Sequence, residues 1–177
     1  MAGQIVGFVA VGWSLFIFLQ KNRSRLLCFK LVADFLWILH FFLIGGYSAM
    51  VTTGIAVFRE LLFLNRDKKK SLQSPLWVVL FVFLYAVSAA LTWKNGFSLL
   101  PAIGVSLSTV GFWNRDVTRI RLLGLGNSLC MFVYGLAMGS VATVINEVLT
   151  VSSIVFATVR LHRERRKVLR EYADKTE

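Results

Sequence analysis

RLLCFKLVADFLWILHFFLIGGYSAMV, residues 25–51, is apolar almost throughout, yet Lys30, Asp34 and His40 stand inside it. About twenty positions pass before Gly45 and Gly46 interrupt it. That is the length an α-helix needs to cross a bilayer, ~17–25 residues. It is too long for a strand. The chain around it has 177 residues, 56% of them hydrophobic and 16% charged, against roughly 25% charged in a soluble domain. Mean hydropathy is +0.68. A soluble domain is therefore the wrong class.

Seven runs of this kind are present, at 3–20, 26–45, 47–64, 76–93, 97–113, 119–138 and 140–160. They predict an all-α integral membrane protein with seven transmembrane helices. The first run has no basic residue before its apolar core and no small-residue cleavage site, so it reads as a retained helix rather than a signal peptide.

Net charge is +11, which alone could suggest nucleic acid. The basic residues instead cluster between apolar runs. Lys21, Arg23 and Arg25 follow the first, Arg66 and Lys68–Lys70 follow the third, and Arg115, Arg119 and Arg121 follow the fifth. A basic tail from about 162 follows the seventh, and the opposite face has Lys94 alone. Lysine and arginine mark the cytoplasmic side, so the N-terminus is expected outside and the C-terminus in the cytoplasm. The expected partners are the lipid bilayer and no nucleic acid. Cys28 and Cys130 form no CxxC pair, so neither a metal nor a redox site is indicated.

The quoted stretch has a companion, TRIRLLGLGNSLCMFVYGLAMGSVATV, residues 118–144. At an offset of 93, Leu36 meets Leu129, Leu43 meets Leu136, Gly46 meets Gly139, Ala49 meets Ala142 and Val51 meets Val144. Residues 1–66 and 97–161 then read as two three-helix repeats. The run at 76–93 is a lone linker helix, and 162–177 is a cytoplasmic tail. The odd linker helix gives both repeats the same orientation, a parallel repeat.

LHFFLIGGYSAM (39–50) and LLPAIGVSLSTVGFW (99–113) resemble the YgjV family of bacterial inner-membrane proteins, and the likeness covers nearly the whole chain. It implies a bacterial inner-membrane location but no substrate. The 3+1+3 layout is in turn similar to SWEET and PQ-loop proteins, which move small solutes. No PQ dipeptide is present: Ala102 follows Pro101, and the first run has no proline. The proline-hinge mechanism of that group is therefore not carried over, and Pro101 remains a secondary candidate.

Polar residues at membrane depth need protein or water to face. Asp34, Trp37 and Phe41 share one helical face, as do Asn127 and Tyr134 in the companion. With Asn146 on the seventh run, these are the expected residues of a midplane pocket for a small polar solute. The bland reading makes Asp34 and Asn127 hydrogen-bonded ties between helices. His40 lies about 120° around its helix from Asp34. It reads first as a satisfied interfacial residue and second as a gate. Arg59 is expected to snorkel to the interface, and Glu60 to pair with Lys30 or Arg25. Glu147 is a secondary pocket candidate.

No HExxH, nucleophile elbow or paired catalytic aspartates occur, so no catalytic residues, enzyme activity, cofactor or metal is expected. The leading expectation is a small-solute transporter or facilitator. The alternative is a non-transporting scaffold, receptor or assembly factor that acts through its basic tail. The sequence leaves a homo-oligomer open.

Overall fold

A computed structural model describes the backbone over residues 1–18, 23–114 and 117–173. The side chains at 17, 18, 23–27, 67, 117, 118, 121, 157, 158 and from 160 onward lie outside the described residues. Arg25 and the tail, both singled out in the sequence, fall there.

The described residues form seven α-helices and no strand. They are α1 (Ala2–Phe18), α2 (Arg23–Leu43), α3 (Tyr47–Leu64), α4 (Leu76–Leu91), α5 (Leu99–Trp113), α6 (Val117–Ala137) and α7 (Val141–Ala173). Each apolar run is one helix, because a backbone without water must satisfy its hydrogen bonds within the segment. Pro101 is the third residue of α5 rather than its first. In the first turn its missing N–H leaves no bond unmade.

Two tight turns set the frame. Gly45 and Gly139 have φ of 74° and 63°, and they are the positive-φ residues of the chain among those described. Only glycine adopts this conformation at little cost. Gly45 N donates to Phe42 O and Gly46 N to Phe41 O. Gly139 N donates to Leu136 O and Ser140 N to Gly135 O. All four bonds match at an offset of 94, as do the ends of α2 and α6 and the starts of α3 and α7. The alignment at 93 is thus one residue out. Asp34 corresponds to Ser128, not Asn127, and Thr53 to Glu147, not Asn146.

α1 and α5 both begin at the glycine-turn end. Gln4 Nε2 donates to Gly139 O at 2.9 Å, and Ser48 Oγ donates to Ser98 O at 2.6 Å. Neighbours follow in the order α1–α2–α3–α5–α6–α7, and α7 returns to α1, so six helices close a ring. α4 packs outside it, across α3 and α5.

One seam of this ring depends on a missing side chain. A Cβ on Gly7 would lie 2.5 Å from Ala142 Cβ and 2.6 Å from His40 Nδ1. The absence of a side chain there lets α1 approach both α2 and α7, as small residues do between membrane helices.

The interior and exterior are exchanged relative to a soluble protein. Phe58 is 71% exposed and Phe156 72%, whereas Arg59 is 2% and His40 0% exposed. α4 turns Leu76, Val79, Phe83 and Leu91 outward and buries Phe81, Tyr85, Ser88 and Ala89. An apolar coat around an interior that buries ionisable and hydroxyl groups beside its apolar core suits hydrocarbon and not water. Tyr47–Leu64 and Gly96–Trp113 are long and apolar enough to cross a membrane by length and composition alone. Shorter apolar helical segments lie at Ala2–Phe16, Leu76–Leu91, Leu122–Ala137 and Val141–Phe156.

Candidate functional site

The ring encloses a cavity of about 540 Å³, within the ~300–1,000 Å³ of small-molecule sites. Every helix except α4 lines it. Its walls repeat at the turn offset of 94. Ser14 in α1 answers Ser108 in α5. Lys30, Ala33, Asp34 and Trp37 in α2 answer Gly124, Asn127, Ser128 and Met131 in α6. Thr53, Ala56 and Arg59 in α3 answer Glu147, Thr150 and Ser153 in α7.

The chemistry of the two sides differs. In the first, four ions form a chain. Lys30 Nζ donates to Asp34 Oδ1 and Oδ2 at 3.0 and 2.9 Å and reaches Glu60 Oε1 at 2.7 Å. Arg59 Nη2 donates to the same Glu60 oxygen at 2.9 Å. Its Nη1 donates to Thr109 Oγ1 at 2.7 Å, tying α3 to α5. The Arg59 guanidinium also lies 5.3 Å from the Phe112 ring centroid. Two cations and two anions cancel, which is how charge becomes tolerable away from water. Arg59 therefore does not snorkel, contrary to expectation: its partners are inside the ring. Glu60 pairs with Lys30, one of its two expected partners.

The second side holds one ionisable lining residue among those described, Glu147, 7% exposed. Asn146 Nδ2 donates to its Oε1 at 3.1 Å, and the Ser128 hydroxyl lies beside it. The lining residues of α7, from Thr143 through Asn146, Glu147 and Thr150 to Ser153, form a polar stripe at helical spacing.

Asp34, Trp37, Phe41, Asn127, Asn146 and Glu147 all line the cavity. Tyr134 does not. It is buried beyond the cavity's edge, with its ring centroid 6.3 Å from that of Phe41. Pro101 is buried at the start of α5, also away from the cavity. Asn127 Oδ1 is packed towards Gly104 without a hydrogen-bond partner.

His40 faces the α1–α7 seam. Its Nδ1 lies 2.7 Å from Gly3 O, and since a carbonyl only accepts, Nδ1 carries the hydrogen. In the neutral ring Nε2 then accepts from Ser140 Oγ at 2.8 Å. Ser140 Oγ also accepts from Thr143 N at 3.2 Å, a helix N-cap bond. One imidazole therefore clasps α1, α2 and the start of α7.

The two ends of the cavity are unequal. Trp37, Phe41 and Thr143, nearest the glycine turns, are buried. Trp37 stacks on Phe41, with centroids 5.7 Å apart. At the other end Lys30, Phe112, Ile120, Ser153 and Ile154 are half-buried.

Sequence reasoning missed Lys30 as the hub, and Ser14, Ser108, Thr150 and Ser153 as lining. Two signals were present: the i, i+4 spacing of Lys30 and Asp34, and the polar stripe of α7.

The family model Imp-YgjV, described as a bacterial inner membrane protein, matches residues 1–165. No curated protein matches the chain, and no solved structure does.

Proposed function

The chain belongs to this family of bacterial inner membrane proteins, and from that premise we propose that it is a small-solute transporter or facilitator. Its seven helices cross the membrane as two parallel three-helix repeats joined by α4, an architecture like that of SWEET and PQ-loop proteins. The solute occupies the cavity between the repeats. One observation carries this reading: the cavity walls repeat at a single offset of 94 across all three helix pairs. A pocket at the interface of two repeats is the arrangement by which transporters alternate access around a fixed site. With the basic loops cytoplasmic, the half-buried end opens inward, and the Trp37–Phe41 stack and the His40 clasp close the outer end.

Gly124 lines the cavity, and an added Cβ there would meet only Ile154 Cδ1, at 3.7 Å. Gly124→Leu is expected to project a branched side chain into the cavity and narrow it. Saturable uptake of small solutes into vesicles reconstituted with the protein should then fall by tenfold or more, while removal of residues 163–177 leaves uptake intact. Loss of cellular function on removing the tail, with no effect of Gly124→Leu, would establish the scaffold reading instead.

A further inference from the structure

Among the described lining residues Lys30, Asp34, Arg59 and Glu147 are the ionisable ones, with Glu60 immediately behind. Four of these neutralise one another through the ion pairs Lys30–Asp34, Lys30–Glu60 and Arg59–Glu60. Glu147 takes no part in that chain. Its recorded side-chain hydrogen bond is from the Asn146 amide, and no salt bridge joins it to a cation among the described residues. The ionisable groups of the first half therefore have charged partners, and Glu147 in the second has no salt-bridge partner among the described residues. A carboxylate held away from water without a counter-ion is unfavourable, and a bound cation removes that cost.

We propose that Glu147 anchors the positive end of the solute, and that the solute is a small organic ammonium. The choice among cations follows from the rest of the wall. Metal ions of the hard type need a shell of six or more oxygens. No group of three or more histidine, cysteine or acidic side chains that could hold a metal occurs among the described residues. An ammonium group instead donates three hydrogen bonds, for which the Glu147 carboxylate, the Ser128 hydroxyl beside it and the Thr150 hydroxyl about one turn along α7 are acceptors. The aromatic faces of Trp37, Phe41 and Phe112 in the same cavity suit the apolar part of such a molecule and attract its charge. At the matching position in the first half stands Thr53. A solute anchored at Glu147 therefore lies asymmetrically between the repeats, with its neutral end towards α2 and α3.

This inference rests on the transport reading for the use of the site, but binding can be measured without transport. The full chain in detergent is titrated with ethylammonium chloride, sodium chloride at equal ionic strength, and glucose, while thermal unfolding and tryptophan fluorescence are followed. Ethylammonium is expected to raise the unfolding temperature in a saturable way that sodium and glucose do not match. Glu147→Gln should weaken its apparent affinity roughly tenfold or more, as expected for losing a charge-assisted hydrogen bond. Gly124→Leu retains the carboxylate but narrows the cavity, and should also weaken the response. It serves as the second variant if Glu147→Gln folds poorly. Equal stabilisation by sodium, or an ethylammonium response that survives both variants, overturns the inference, as does no response in the native chain. Ethylammonium binding without uptake by reconstituted vesicles would overturn the transport reading and leave the ammonium site standing.

Discussion

The α2–α3 wall and the α6–α7 wall occupy matching positions and do different work. Lys30, Asp34, Arg59 and Glu60 answer Gly124, Ser128, Ser153 and Ile154. In the first wall ion pairs join the charged side chains and bind α2 to α3 and α3 to α5. In the second they are small, neutral or, at Glu147, acidic without a salt-bridge partner among the described residues. Matching helix ends and turn bonds, 94 residues apart, supply two similar walls. Differing side chains make one of them a brace and leave the other free to contact a solute.

Matched substitutions across the walls test this division. Lys30→Ala strands the Asp34 carboxylate inside the ring and leaves Glu60 with Arg59 alone. Breaking a buried ion pair by removing one partner costs about 3–5 kcal/mol, and unfolding in mixed micelles should show a loss of that size. A loss below about 1 kcal/mol would mean that the ion chain does not brace the ring. Asp34→Ala leaves Lys30 its bond to Glu60, so a smaller loss of about 1–3 kcal/mol is expected. Its counterpart Ser128→Ala should cost less than Asp34→Ala in the same unfolding measurement. The smallest effect belongs to Gly124→Ala, the counterpart of the lysine position. Its methyl group would make only an ordinary contact with Ile154, and replacing a helical glycine with alanine should stabilise by up to about 1 kcal/mol. A marked loss there would show that the second wall is also a brace.

Much of the fold was legible because it rests on local quantities. The length of an apolar run, a glycine break and a cluster of basic residues each survive without knowledge of the neighbours. All seven runs became helices, and 47–64 has the bounds of α3. That Asp34, Asn127 and Asn146 face the cavity was readable because polar groups at membrane depth turn inward, and Trp37 and Phe41 followed from sharing the face of Asp34. Tyr134 was misplaced in depth: it shares the Asn127 face but lies about two turns nearer the glycine turn, beyond the cavity's edge. The pairing of Asp34 with Asn127 came from an alignment built on leucines, glycines and alanines, which match often by chance in apolar sequence, and it was one residue out. The positive-φ glycines, at 45 and 139, removed that error.

A helical chain suited to hydrocarbon, its approximate helix bounds and the residues that turn inward can all be read along a single segment, because hydrophobic length and helical period specify them. The hold of Lys30 on Asp34, the internal tie made by Arg59 and the His40 clasp came from the packing of helices. That packing also brought the α7 stripe with Glu147 to a cavity shared by both halves. Those outcomes depend on which faces of separate helices meet, and pairing between helices leaves no period in the sequence of either one.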